Sequence, residues 1–547
     1  MNELKERKKP ILIAAMQWFI TTILQIDRLF FTYDYESKYL VVTKMLYLIV
    51  LLSVWCFIFE TGKKIKFGDE AWQRGFFIFK VYFCLMMLLL LLLWPGTWSW
   101  DDLGTLNAIS TYESWNAWQH VLTGIYQDVL LQILPFPGGI IFLQNAIVAL
   151  SVAFIVTKLE ISFHIAKIKN GVIDMIIKLL PFLTPPVLMY QFSGYRLGLY
   201  VYIELVMLVM LICAWKDEKK WNLKYLILFA ILCVIVATWR TESFLYIPCI
   251  CVLLLFAKKS VISNMKKVLC IVILAIGFLN INNLQKYELG NSNYEIISLL
   301  RPCVELVRAA DCEADADELA IIDKVTDLEV IRNNPTFNGE ELYWNTECVR
   351  NKNNNPYDDY TDKDYSAYLR AFIKLSLKYP EVVIKERWNM FLTGSGITGE
   401  SRTNVSSAAA LFEINNESWA AKIILSKGRI ANLPVLKKTR STVINILGIR
   451  NNKGNVIVWL YRIVWNAIIP EIILLYAWIK MLIKKKWFFA GICSAVLIRL
   501  PVVVLTQPSP WIMYVLSFYF LGYVFLVYDI LICWSEHKKS KEISTDE

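Results

Sequence analysis

Long apolar runs recur along this chain, and they restrict its fold more than any other feature of the sequence. A helix needs about 20 predominantly apolar residues to cross a bilayer. Hydrophobic residues make up 56% of the 547 residues and charged residues only 19%, which excludes an ordinary soluble domain. We predict about twelve transmembrane spans, at 11–31, 40–60, 76–94, 138–157, 172–190, 196–215, 224–239, 242–257, 267–282, 456–482, 487–506 and 510–534.

The Lys and Arg content of the short connections predicts how these spans are oriented. Connections such as 61–75, 216–224 and 535–547 are rich in Lys or mixed in charge, and they alternate with connections that carry few positive charges. Because positively charged loops stay on the cytoplasmic side, both termini are predicted to be cytoplasmic, with 95–137 and 283–455 outside. The net charge of +10 follows from this bias, and no basic helix or nucleic-acid motif accompanies it. The sequence therefore predicts a multi-pass protein of the cell membrane with no nucleic-acid partner.

A pair of carboxylates follows one of the apolar runs directly, in the segment Trp94-Pro-Gly-Thr-Trp-Ser-Trp-Asp-Asp102. Ionisable groups beside lipid are costly, which makes Asp101 and Asp102 functional candidates. Pro95 and Gly96 stop the helix, so we expect the two aspartates to begin a loop or a re-entrant segment. The alternative is a solvated pair on an outer loop. Several nearby tryptophans suit an interfacial belt: Trp94, Trp98, Trp100, Trp115 and Trp118.

The large polar region 283–455 changes character along its length. It is acidic and polar as far as Asp364, and from Ser366 onward it is basic and more apolar. Helical periodicity over 368–379, and a proline at the start of 380–391, predict two helices. These helices either lie on a membrane surface or line the core of a small globular domain. We therefore expect a large extracytoplasmic α or α+β region.

Most of the twelve cysteines fall within apolar runs, where a free cysteine behaves as a small hydrophobic residue. Only Cys303, Cys312 and Cys348 lie in the outer region, and their spacing does not match a zinc site. Whether Cys303 and Cys312 form a disulfide stays open at this stage.

Three short motifs lie at the predicted outer ends of apolar runs: the acidic segment that ends in Asp102, Trp118-Gln-His-Val-Leu122, and Trp239-Arg-Thr-Glu-Ser243. Together with a series of spans, one large outer region and a few further spans, they resemble the GT-C class of integral-membrane glycosyltransferases. This is the class of the protein O-mannosyltransferases and the lipid A aminoarabinose transferases. The resemblance covers about residues 76–535. Two departures are the missing prolines after His120 and the absence of a metal-binding Asp-x-Asp motif in the second half.

The resemblance implies an all-α polytopic membrane protein of about twelve transmembrane helices with a GT-C-like core. It divides the chain into four parts: 1–75, an N-terminal cytoplasmic segment with two extra transmembrane helices; 76–282, the GT-C-like core, with a first outer loop at 95–137; 283–455, the extracytoplasmic domain; and 456–547, the C-terminal transmembrane helices and cytoplasmic tail.

Members of this class transfer a sugar from a polyprenyl-phosphate or polyprenyl-diphosphate carrier to an acceptor on the outer face, usually with inversion. Such a transfer needs a general base that takes the proton of the acceptor hydroxyl. The resemblance assigns this role to Asp101, with Asp102 as the alternative base, or as a metal or orientation partner. His120 is the only histidine on the predicted outer side, and it would orient a carboxylate or donate to phosphate. A packed interfacial histidine is the competing interpretation.

The departing phosphate requires cations, and arginine matches its geometry best. The resemblance assigns donor-phosphate binding to Arg240, held by Glu242, and Arg196 heads the neighbouring span on the same side. Arg387 and Arg402, in the basic part of the outer region, are further candidates. No metal ligand and no cofactor is assigned, and a divalent cation stays open. The expected partners are the lipid-linked donor, an unidentified glycan, lipid or protein acceptor, and membrane lipids.

Other classes of protein remain as alternatives. A flippase or transporter for a lipid-linked sugar would use charges at mid-membrane, for which Glu204, Glu471 and Arg499 are available. A polysaccharide polymerase would rely on Arg and His of the large outer loop. A non-enzymatic membrane scaffold is disfavoured by the intramembrane charges. Transfer of sugar by the purified protein without any gradient would distinguish an enzyme from a transporter.

Overall fold

The computed structural model describes residues 2–33, 37–115, 119–289, 296–350, 360–399 and 433–546. The protein is mostly helical, at 77%, and these ranges contain no β-strand. The helices in chain order are α1 (Asn2–Ile23), α2 (Lys38–Lys66), α3 (Glu70–Leu93), α4 (Trp100–Ile109), α5 (Val121–Ile133), α6 (Pro137–Ser162), α7 (Gly171–Leu179), α8 (Pro185–Gln191), α9 (Leu197–Lys216), α10 (Leu223–Trp239), α11 (Tyr246–Phe256), α12 (Asn264–Leu289), α13 (Ile297–Ala309), α14 (Ala316–Asp323), α15 (Leu328–Asn333), α16 (Gly339–Asn345), α17 (Asp362–Lys378), α18 (Pro380–Gly394), α19 (Lys437–Leu447), α20 (Val458–Val464), α21 (Ile468–Ile483), α22 (Trp487–Leu497), α23 (Arg499–Thr506) and α24 (Leu516–Asp546).

The chain forms two compact units. The first, which we call the membrane unit, comprises Met1–Leu289, Thr403–Leu497 and Leu516–Glu547. The second, the insert unit, comprises Gly290–Arg402 and Ile498–Val515. The predicted outer region 283–455 is therefore divided between the two units, and α19 belongs to the membrane unit.

Eight helical segments in the described ranges are long and apolar enough to cross a membrane, which fits a multi-pass membrane protein. Each of them coincides with one of the predicted runs. They are Lys38–Lys66, Glu70–Leu93, Pro137–Ser162, Leu197–Lys216, Asn264–Leu289, Val458–Ile483, Trp487–Thr506 and Leu516–Lys541. The predicted number of twelve is not confirmed.

The four other predicted runs differ from these eight segments in length or in continuity. The run 172–190 forms two helices bent by 67°, which could count as a ninth span, because three prolines interrupt it. The runs 224–239 and 242–257 form helices shorter than the span length. Seventeen residues, as in α10, extend only about 25 Å, less than a bilayer core of about 30 Å. In the first run, 11–31, the α-helix ends at Ile23 and a separate short 3-10 helix follows, so the run is not one continuous helix.

Local sequence signals explain where the helices around the acidic segment begin and end. The Asp69 side chain accepts a hydrogen bond from the Trp72 amide at 3.2 Å and thereby caps the start of α3. The last residue of α3 is Leu93, immediately before the Trp94–Pro95 pair that cannot continue a helix. The chain then turns and enters α4, capped by Ser99.

The insert unit has a core of its own, built from α13 to α18. Leu300 and Val304 of α13 and Tyr368 and Leu375 of α17 are all at most 1% exposed. The two helices predicted over 368–379 and 380–391 are confirmed as parts of α17 and α18. Because α17 lines this core, it follows the globular interpretation, whereas α18 also presents exposed apolar residues such as Trp388. Cys303, Cys312 and Cys348 of this unit are thiols and are not linked as disulfides.

Candidate functional site

The segment between α3 and α4 is fixed against the connection from α8 to α9. The Thr97 amide donates to the Phe192 carbonyl at 2.7 Å, and the Thr97 hydroxyl donates to the Met189 carbonyl at 3.2 Å. A Cβ atom at Gly194 would lie 2.3 Å from the indole of Trp98, so only glycine fits there. Trp98 is completely buried by this packing. The prediction that it belongs to an interfacial belt is therefore wrong, and so is that for Trp115, which is 6% exposed.

Arg440 of α19 stabilises the same segment from another direction. Its side chain is fully buried, and its guanidinium donates to the carbonyls of Leu93 at 3.3 Å and Gly96 at 2.9 Å. A cation at the last turn of a helix satisfies carbonyls that have no partner within the helix. Sequence reasoning missed Arg440, since the basic stretch that contains it gives no sign of which residue is buried.

Asp102 belongs to the capping box of α4. The Ser99 amide donates to its Oδ2 at 3.1 Å and the Ser99 hydroxyl to its Oδ1 at 2.7 Å. Gln119 donates to the same Oδ1 at 3.3 Å. The two aspartates therefore lie in the first turn of a helix, so the prediction of a loop is wrong, whereas the alternative of a re-entrant segment stays a prediction. Burial raises the pKa of Asp102 to about 7, against the hydrogen bonds from Ser99, which lower it.

Asp101 is the partly exposed member of the pair. Burial raises the pKa of its carboxyl above the ordinary value of 3.8, while the positive charge of Arg196 and a hydrogen bond with Tyr195 lower it. A carboxylate with a raised pKa that is still reachable from outside is better suited to accept a proton than one in bulk water. Asp101 thus has the properties of a general base, and Asp102 those of a helix cap.

Arg196 connects three segments of the site. Its Nη1 donates to the Gln119 carbonyl at 3.0 Å and to the Trp239 carbonyl at 2.9 Å. Its charge acts on both Asp101 and His120. The side chain is only partly buried, so the structure places a partly exposed cation near Asp101.

His120 caps the start of α5, with a positive φ of 79° that few residues other than glycine adopt. Its Nδ1 accepts from the Leu122 amide at 3.4 Å, which leaves Nε2 as the protonated nitrogen. Burial, and then the charge of Arg196, lower the pKa of His120 to about 3, so the ring is neutral at physiological pH. Within the described part of the chain it shares no hydrogen bond with Asp101 or Asp102. The neighbouring Gln119 instead donates a hydrogen bond to Asp102. The sequence analysis did not identify Gln119.

Arg240 and Glu242 form a buried ion pair at the end of α10. The two residues are 3% and 7% exposed. Breaking a buried pair leaves an uncompensated charge, which strongly destabilises a fold. The pair lies near the Asp101 end of the helices, since the charge of Arg240 also acts on Tyr195. Its burial favours a structural clamp over direct contact with a donor phosphate.

The two candidate arginines of the outer region are placed differently. Arg387 is 3% exposed in the insert unit, pairs with Glu386 and donates to the Gln507 carbonyl at 2.9 Å. The hydrogen bond to the Gln507 carbonyl connects α18 to the segment after α23. Arg387 therefore has a structural role within the insert unit. Arg402 lies outside the described residues.

Tyr190 is a further residue that the sequence did not single out. It is completely buried at the end of α8, and its hydroxyl has no hydrogen-bond partner within the described part of the chain. Tyr195, Tyr461 and Arg240 are close enough to act on it electrostatically. A buried hydroxyl without a partner is costly, so Tyr190 is a candidate for contact with a bound polar group.

The mid-membrane carboxylates that a transporter would need are also buried. Glu204 accepts hydrogen bonds from Tyr246 at 2.6 Å and from Ser517. Glu471 is 6% exposed, and its Oε1 has no hydrogen-bond partner among the described residues. Two hydroxyl donors explain Glu204 as part of the helix packing, whereas nothing in the described ranges explains Glu471.

A divalent cation finds no adequate ligand set in this site. Within the ranges given above, no group of three or more His, Cys, Asp or Glu side chains is placed to hold a metal ion. The Asp102 carboxylate accepts three hydrogen bonds, from Ser99 and Gln119, and is held by them at the start of α4. The residues present therefore do not fit a metal centre, and no chemical step is assigned to one.

Comparisons of the chain with protein-family models, with curated proteins and with solved structures found no match. The functional interpretation consequently rests on the geometry of the site. That geometry combines a partly exposed carboxylate, an adjacent arginine and a neutral imidazole at one end of a set of apolar helices.

Proposed function

We propose that this protein is a membrane glycosyltransferase that moves a sugar from a polyprenyl-phosphate-linked donor to an acceptor on the extracytoplasmic face of the membrane. The observation that carries this proposal is the placement of Asp101 beside Arg196, at the ends of helices long enough to span a bilayer. A base and a phosphate-binding cation are the two groups that an inverting transfer requires at a membrane surface.

In the proposed reaction, Asp101 accepts the proton of the acceptor hydroxyl as its oxygen attacks the anomeric carbon. The bond between that carbon and the phosphate oxygen breaks, and its electron pair leaves with the polyprenyl phosphate. Arg196 stabilises the charge that develops on the departing phosphate. Asp102 and Ser99 hold the first turn of α4, so that the Asp101 carboxylate keeps its position.

The test uses the purified protein with a polyprenyl-phosphate sugar and no ion gradient. Asp101→Asn removes the proton acceptor while it keeps the size of the side chain, so transfer or hydrolysis should fall by about 10²- to 10⁴-fold. Asp317→Asn is the matched control, because Asp317 is an exposed aspartate at the same second position of its own helix, α14. Binding of the carrier lipid should persist in both variants.

Unchanged turnover in Asp101→Asn would contradict the assignment of the base. Turnover that is lost in Asp102→Asn alone would move the role to Asp102. If the wild-type protein releases no sugar from the carrier but moves the lipid between leaflets of a vesicle, the flippase alternative holds, with Glu471 as the first residue to replace.

A further inference from the structure

A cavity lies in the membrane unit, at the opposite end of α9 from the candidate site. It has a volume of about 270 Å³ and is formed by residues of α6, α9, α21, α22 and α24. α9 begins next to Arg196 and ends at Lys216 on the rim of this cavity, 20 residues later. At about 1.5 Å per residue this is about 30 Å, the thickness of a bilayer core.

The interior walls of the cavity are apolar. α9 contributes Leu205, Leu208 and Ile212, which line the cavity together with Ile492 of α22 and Val524 of α24. A space of this kind between transmembrane helices favours a hydrocarbon chain over water or a polar solute.

The rim carries charge of mainly one sign. Four lysines, one aspartate and one glutamate line it, for a net charge of +2. Lys480 is neutralised by an ion pair with Asp529 at 2.7 Å. The other lysines, Lys216, Lys484 and Lys486, are exposed and form no ion pair with any residue that the structure describes. The remaining acidic residue is Glu536.

We propose that this cavity binds an anionic phospholipid, with one acyl chain between the apolar walls and the phosphate among Lys216, Lys484 and Lys486. Charge complementarity decides the class of ligand, because three lysines against one glutamate leave a net charge of +2 around the mouth of an apolar space. Basic pockets between transmembrane helices on the cytoplasmic side suit anionic headgroups, and the cytoplasmic leaflet supplies them. A free anion would not use the apolar walls, and a zwitterionic lipid would place its own cation among the lysines. The proposal does not depend on glycosyl transfer.

The experiment measures thermal unfolding and native mass spectra of the purified full chain in detergent, titrated with phosphatidylglycerol, phosphatidylcholine or inorganic phosphate. Phosphatidylglycerol should stabilise the protein saturably and remain bound. Replacing the three rim lysines together (K216A, K484A and K486A) should weaken that binding by at least about 10-fold. The matched control replaces Lys63, Lys64 and Lys66, three basic residues in the last turn of α2 that do not line the cavity, and should leave binding unchanged.

A second variant tests the apolar half of the site. Cys493 lines the cavity, and Cys493→Phe should fill part of the space and reduce lipid binding with the lysines intact. If that variant does not fold, Cys493→Leu makes a smaller change of the same kind. Equal stabilisation by phosphatidylcholine or by inorganic phosphate would overturn the proposal. Equal losses in the rim and control variants, or undiminished binding in Cys493→Phe or Cys493→Leu, would overturn it as well.

Discussion

Two helices in different units of this protein begin with the same local structure. α4 starts with a capping box between Ser99 and Asp102, and α17 starts with one between Thr361 and Asp364. Yet Asp102 is completely buried, and burial raises its pKa to about 7. Asp364 is partly exposed, and its hydrogen bonds from Thr361 lower its pKa. The same capping box therefore contributes to a candidate site at the start of α4 and only to helix stability at the start of α17.

The difference lies in what covers each helix start. The start of α4 is covered by Trp98, which packs against Gly194. The connection from α8 to α9, with Tyr195 and Arg196, lies close to it as well. Beside Asp364 is the exposed Lys324, at 3.9 Å. An isolated surface ion pair contributes about 0–1 kcal/mol, whereas a charged group among buried partners is fixed in position and strongly coupled to them.

The largest expected effect is all-or-none and concerns the side of the membrane on which the two helices lie. The charge alternation predicts that both starts face outside. In a cysteine-free background, Asn107→Cys in α4 and Lys363→Cys in α17 should react with an impermeant maleimide in intact cells. Lys484→Cys should react only after permeabilisation. Labelling of Lys484→Cys and Asn107→Cys from the same side would contradict the topology.

The second largest difference is expected between replacements of the two cations beside these helix starts, Arg196 and Lys324. Arg196→Ala removes charge-assisted hydrogen bonds as well as the proposed phosphate contact, and should weaken binding of the carrier lipid by about 10- to 100-fold. Lys324→Ala, the equivalent change at α17, should leave binding unchanged. Arg240→Ala should instead reduce the amount of folded protein, because it breaks the buried ion pair with Glu242. Folded Arg240→Ala protein with lost binding would return Arg240 to the donor site.

A smaller effect is expected when the cover of α4 is altered without any change of charge. Gly194→Ala places a methyl group against the Trp98 indole and should lower the free energy of unfolding by about 1–3 kcal/mol. Gly454→Ala is the spatial control, because nothing lies within 4 Å of its added Cβ, although its positive φ carries a backbone cost of its own. Thermal unfolding in detergent measures both. Equal stability of Gly194→Ala and the wild type would show that Trp98 can move away.

The smallest effect is a pH dependence of opposite sign at the two capping boxes. The pKa of Asp102 is raised in the folded protein, so its contribution to stability is greatest below its ordinary pKa of 3.8 and declines as the pH rises through about 7. The pKa of Asp364 is lowered, so its contribution is present above 3.8 and is lost as the pH falls below that. Unfolding midpoints of Asp102→Asn and Asp364→Asn, measured between pH 5 and 8, should therefore differ from wild type in pH slope only for Asp102→Asn. A slope change in the other variant alone would refute the difference in burial.

Much of the helical architecture could be predicted from the sequence. Eight of the predicted runs coincide with span-length helices, since apolar length is a local property that a bilayer requires. The shortness of α10 could not be predicted, because apolar composition alone does not reveal where a helix such as Leu223–Trp239 ends. The bend in 172–190 follows from its three prolines, which the count of twelve spans did not take into account. Among the site residues, the sequence brought out Asp101, Arg196 and Arg240, charged groups beside apolar runs. It missed Gln119, Arg440 and Tyr190, whose residue types are common and whose burial has no local signature.

The sequence by itself determined that this chain forms long apolar helices of the kind that cross membranes, and where proline interrupts them. These outcomes depend on apolar length and on proline, which are local properties. Only the tertiary structure decided which of two equivalent aspartates becomes buried, which arginine stays partly exposed, and which lysines lie around the apolar cavity. The pKa of a carboxyl group and the partners of a guanidinium depend on the segments packed around them. Here the partners on those segments are separated from Asp102 and Arg196 by 17, 43 and 77 residues in the chain.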